Sequence, residues 1–172
     1  LPVASQAKYL GTVMSYKLLE DQTVLHRIQL SKIAFHRLSR WLKGKRGMPT
    51  WQRLRIWSTC VYPVLSYGIC TVGITTFGAT KLQQTMDSML RQILDNHAYV
   101  TGQSHHQALA QHGVELPLIW IVKTVDSLQQ SVTQRLLYAE VHDVVHRLDW
   151  NHLSNLKAFL LAQRNTGPVE YH

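Results

Sequence analysis

Acidic residues are missing from a long stretch of this sequence. Between Gln22 and Met86 there is no Asp or Glu, yet ten of the 18 Lys and Arg fall in the same window. The formal net charge of +8 is therefore concentrated, because the rest of the chain sets eight basic residues against all ten acidic ones. A block of one sign favours a polyanionic partner, either nucleic acid or an acidic membrane surface. A solvated basic face is the plainer alternative. Cysteine is scarce: Cys60 and Cys70 are the only two. That excludes a disulfide framework and any Cys-based metal motif, and makes an intracellular, reducing compartment, nuclear or cytoplasmic, the expectation. No basic and apolar leader opens the chain. It begins at Leu1 and is expected to be a piece of a longer protein.

Charge of either sign is absent from Ile56 to Thr80, a run long enough to cross a bilayer. Its content argues otherwise. Ser58, Thr59, Ser66, Thr71, Thr75 and Thr76 dilute its apolarity, and Pro63, Gly68, Gly73 and Gly78 interrupt a helix. Basic residues flank both ends, so no orientation signal exists. A buried segment is expected, with membrane insertion a lesser alternative.

What is present reads as mostly helix. With 172 residues and 45% hydrophobic content, the chain suits one domain or one domain with an extension. Residues 8–16, KYLGTVMSY, read as a short strand or hairpin edge. Over 22–43, Val24, Ile28, Phe35, Leu38 and Leu42 share one helical face. Lys32, His36, Arg40 and Lys43 form a neighbouring basic stripe. KGKRGMP is a basic turn carrying Lys45 and Arg46. Thr50 is placed as the cap of a helix from Trp51, which carries Arg53 and Arg55 and is kinked or ended by Pro63. GITTFGAT reads as a loop, and a further helix starts near Thr80. SHHQALAQHG reads as a short helix capped by Ser104 and stopped by Gly113. Pro117 opens a helix to about Tyr138, and a last helix covers 151–163. Trp41, Trp51 and Trp57 are expected in the core.

The order of these pieces carries more than any one of them. Tyr9, Leu10 and Gly11 give YLG; His26 and Arg27 give HR on the next helix. Val61, Pro63, Leu65, Tyr67 and Gly68 then give V-x-P-x-L-x-Y-G. From Lys8 to Leu116 this succession resembles the region after the catalytic palm in reverse transcriptases of LINE-type, non-LTR retrotransposons. The resemblance implies a mainly α chain, a helical thumb-like bundle with a short N-terminal strand or hairpin. Residues 1–20 would close the palm and 21–116 would form the thumb; 117–172 are expected, from their helical pattern alone, to be a C-terminal helical extension.

A thumb holds duplex. Lys and Arg along a helix can follow phosphates and 2′-hydroxyls on the shallow groove of a hybrid without reading bases. Lys32, His36, Arg40, Lys43, Lys45, Arg46 and Arg53 are the candidates for that contact. Tyr9, Leu10 and Gly11 resemble the segment beside the primer end, and Pro63, Tyr67 and Gly68 are family-motif positions. The implied partners are RNA or an RNA–DNA hybrid and the palm itself, with no small-molecule substrate. The family's palm holds magnesium on an Asp-Asp turn, and no two Asp are adjacent in this sequence. No cofactor and no polymerase activity are therefore expected of this chain alone. His142 and His146, four apart, and His105, His106 and His112 lack a recognised metal pattern. A helical protein-interaction fragment, or an inactive retrotransposon relic, remains the alternative.

Overall fold

The computed structural model describes residues 6–9, 12–15, 19–43, 47–96, 98–138 and 144–165. Leu10, Gly11, Lys45, Arg46 and His142 lie outside the described residues, as do the side chains of Tyr9, His105 and His146. The chain is mainly helical. It divides into two compact units, Leu1–Leu116 and Pro117–His172.

In the first unit β1 (Gln6–Tyr9) and β2 (Thr12–Ser15) pair antiparallel, with Gln6 opposite Ser15 and Tyr9 opposite Thr12. Eight helices follow in this unit among the described residues. The central one is α1 (Leu19–Arg37), which packs against β2 and four other helices. Glu20 and Asp21 in its first turn and His36 and Arg37 in its last complement the helix dipole. Val24, Ile28, Ser31 and Phe35, at spacings of three and four, are its buried seam. Ser31 is fully buried and donates its hydroxyl proton back to the Ile28 carbonyl at 2.8 Å, so it leaves no orphaned polar group.

The helix expected over 22–43 is interrupted. Leu38 turns to φ −95° and ψ 5°, and a single turn, α2 (Ser39–Leu42), follows. α3 (Thr50–Cys60) has Pro49, not Thr50, at its cap; Thr50 is the first helical residue, and its hydroxyl accepts from the Arg53 guanidinium at 3.0 Å. The charge-free run is then cut three times. α3 stops at Cys60, α4 (Tyr62–Ser66) restarts with Pro63 in its first turn, and α5 (Ile69–Val72) follows Gly68. Pro63 is tolerated because the first-turn N–H groups have no intrahelical partner. No helix among the described residues is long and apolar enough to cross a membrane.

The expected loop GITTFGAT is mostly helix. α6 (Thr76–Leu94) begins four residues before Thr80, capped by Thr75, whose hydroxyl oxygen accepts from the Gly78 N–H at 3.0 Å. The same hydroxyl donates to the Asp21 carboxylate and so ties the starts of α1 and α6 together. Gly78 sits where these helices cross. A Cβ there would stand 3.2 Å from Ile74 and 3.4 Å from Val24. α7 (Ala98–Thr101) and α8 (His105–Gln111) close the unit. Ser104 and Gln107 form a reciprocal capping box on α8, and Gly113 follows at φ +63°.

In the second unit α9 (Pro117–Tyr138) and α10 (Val144–Asn165) run antiparallel. Asp126 pairs with Lys157 at 2.5 Å, and Gln129 donates to Ser154 at 3.0 Å. α10 starts seven residues before the expected Asn151. Leu153, Leu156 and Leu160 mark its buried side at helical spacing.

Candidate nucleic-acid interface

The family-motif residues are explained first by packing. Val61 and Leu65, one helical turn apart, are fully buried, and α4 lies against α1. Each such side chain contributes about 1.5–3 kcal/mol by leaving water. Pro63 faces out. Tyr67 is 54% exposed, but its ring lies under the guanidinium of Arg27, 4.3 Å from the centroid. Burial lowers the Arg27 pKa from its ordinary value, and Tyr67 opposes that shift. The HR helix and the motif, 40 positions apart, thus meet in one cation–π contact. Gly68 sits at φ +76°, a left-handed conformation that costs an L side chain about 1–2 kcal/mol.

The basic stripe is outward-facing. Lys32, His36, Arg40 and Lys43 are all exposed, as are Arg37 and Arg55. Lys43 stands 5.2 Å over the Phe35 ring. Arg53 differs from the expectation: it is half-buried, with its guanidinium turned back on Thr50. Trp41 and Trp51, expected in the core, are 53% and 60% exposed among these bases, and only Trp57 of the three is buried.

One feature was not legible from the sequence. α1 and α6 bound a groove of about 650 Å³. Lys32 and His36 line one wall; Lys81, Gln84, Thr85, Ser88 and Gln92 line the other; Leu25, Ile28, Phe35 and Met89 complete it. Spacings of three and four put the α6 residues on one helical face, which was the available signal. Which helix that face would meet depends on the tertiary fold.

Behind that face lies Asp87, buried and raised to about 7 by desolvation, against a smaller downward pull from Arg91. Arg91 donates to the Gln103 carbonyl at 2.5 Å and to the Asn96 side chain at 3.4 Å. Asn96 in turn bonds Thr101 and Gln103. This network holds the segment after α6. The described carboxylates do not fit the magnesium of a complete polymerase. Asp21 is bonded to Thr75, Asp87 is enclosed beside Arg91, and Asp95 ends α6 at φ +56°. Among the described residues no group of three His, Cys, Asp or Glu could hold a metal. His106 and His112 are exposed, and burial raises the pKa of Cys70.

Among curated proteins the chain is similar to one from Drosophila melanogaster described as "Probable RNA-directed DNA polymerase from transposon BS". Identity is 30% over 115 residues, 64% of this chain and 12% of that protein. The chain thus spans about an eighth of the relative's length. The likeness supports a reverse-transcriptase relationship. No protein-family model matches, and no solved structure matches.

Proposed function

We propose that the helical first unit is the nucleic-acid-holding thumb of a LINE-like reverse transcriptase. It grips the backbone of a primer–template hybrid and leaves catalysis to carboxylates elsewhere in the parent enzyme. The observation that carries this reading is the exposed stripe of Lys32, His36, Arg40 and Lys43 in a window without one acidic residue. The likeness to a transposon polymerase supports it. Lys45 and Arg46 extend the stripe in sequence, and Arg53 adds charge nearby. Tyr9, Leu10 and Gly11 lie beside the primer end in this reading, and the parent's palm is the protein partner and the holder of magnesium.

The test is fluorescence anisotropy of the full chain with a labelled RNA–DNA hybrid across a salt series. Log affinity should fall linearly with log salt and ignore base sequence. The triple variant Lys32→Gln, Arg40→Gln, Lys43→Gln should bind about tenfold to hundredfold more weakly, and its salt slope should drop by about three. An unchanged slope and affinity would sink the stripe as a phosphate contact.

A further inference from the structure

We propose that the α1–α6 groove seats the sugar–phosphate backbone of one nucleic-acid strand, with α6 supplying a second wall of contacts opposite the stripe. This deepens the thumb reading and rests on it. Among the described residues no carboxylate lines the groove, while Lys32 and Lys81 face it from different helices. Between them stand hydrogen-bonding side chains at the spacing of one helical face: Gln84, Thr85, Ser88 and Gln92. Ser88 accepts from the Gln92 amide at 3.4 Å, and Thr85 donates to the Lys81 carbonyl at 2.8 Å. Lys81, which lines the groove, also lies 5.7 Å over the exposed Phe77 ring one turn earlier on α6.

The distribution of exposure selects the occupant. Ile28, Phe35 and Met89 are nearly fully buried, so Leu25, 43% exposed, is the one open apolar side chain among the lining residues. An amphipathic acidic helix docks through a row of apolar anchors, which one leucine does not supply. The other open side chains are cationic and hydrogen-bonding: Lys32, His36, Lys81, Gln84 and Ser88 are all exposed. A phosphodiester chain asks for that combination, charge from two sides and donors between. Cations on two helices also hold a strand in a direction that a stripe on one helix cannot.

Ser88 gives a clean probe because it is exposed and its replacement leaves the core untouched. With the full chain and the same labelled hybrid, Ser88→Glu should weaken binding about tenfold and Ser88→Lys should tighten it. Lys81→Gln should lower the salt slope by about one, a loss not seen with the charge-matched control Lys123→Gln in α9. If the wild-type chain binds but Ser88→Glu and Lys81→Gln behave like the control, the groove assignment is overturned while the thumb reading stands. If the wild-type chain does not bind at low salt, both fail. If a polyglutamate peptide displaces the hybrid as well as unlabelled hybrid does, the groove is an acidic-peptide site and the assignment is likewise overturned.

Discussion

Replacing Trp57 with Ala should cost the first unit about 3–5 kcal/mol, whereas Trp41→Ala and Trp51→Ala should each stay within about 0.5 kcal/mol. Trp57 is fully buried on α3, where its ring packs 6.0 Å from that of Tyr62. Removing it leaves a cavity that the surrounding helices can close only in part. The other two indoles stand more than half in water and lose little on truncation. Domains of this size are held by about 5–15 kcal/mol in total, so the Trp57 variant should be largely destabilised. Urea unfolding followed by far-ultraviolet circular dichroism separates the three variants. Equal midpoints for Trp57→Ala and Trp51→Ala would mean that α3 does not pack as described. The exposed pair also has a functional side. If aromatic rings stack on nucleic-acid bases, Trp41→Ala and Trp51→Ala should weaken binding without weakening the fold.

The three tryptophans show where sequence reading stops. Composition alone puts such residues inside, although all three lie within the basic block. Within α3 the period was informative: Trp57 and Val61 lie one turn apart and are both buried. Trp51, six residues earlier, falls about a third of a turn off that line. Trp41 misses the seam of α1 by the same offset, since it stands six positions after Phe35, whereas Leu42, seven after, is buried as the spacing requires. The break at Leu38 itself has no Pro or Gly to mark it in the sequence.

Helix existence was otherwise legible because the apolar spacing is strong. The seam Val24, Ile28, Phe35 was readable, and so was Ser104 as the cap of α8. Helix starts were less so. Thr75 rather than Thr80 caps α6 because its hydroxyl serves two partners, the Gly78 N–H and Asp21, and Asp21 is 54 positions away. The candidate site divides in the same manner. Exposure of the Lys32 to Lys43 stripe follows from its offset from the apolar seam. The Arg27–Tyr67 contact and the α6 wall of the groove do not, since each depends on which helices become neighbours. That dependence also reinterprets the V-x-P-x-L-x-Y-G pattern. Two of its residues fill the core, one restarts a helix, one stacks on Arg27 and one supplies a left-handed turn.

Between about pH 4 and pH 7 the first unit should lose stability as pH rises, and Asp87→Asn should remove that loss. The Asp87 carboxyl has an ordinary value of 3.8 and is raised to about 7 in the folded chain. Desolvation is the main cause: the group is only 6% exposed, and transferring its ionised form out of water is unfavourable. Arg91, one turn along, pulls the other way but does not prevail, because its guanidinium also donates to Gln103 and Asn96. A carboxyl raised on folding binds more protons folded than unfolded between its two pKa values. Stability then declines with pH through that window and levels off above it. At about 1.4 kcal/mol per unit, a rise of about three units corresponds to a decline of up to about 4 kcal/mol. Asn has nearly the same shape and cannot ionise. The variant should therefore match the natural chain near pH 4 and exceed its stability at pH 8. Every other ionisable group is common to both proteins and cancels in the difference. Urea midpoints at half-unit steps from pH 4 to 8 would measure it. Parallel curves for the two proteins would show that Asp87 is solvated or held ionised by Arg91. A gap opening towards pH 8 would show a lone acid on α6 that folding keeps protonated up to about pH 7, behind a wall of the groove that carries no carboxylate.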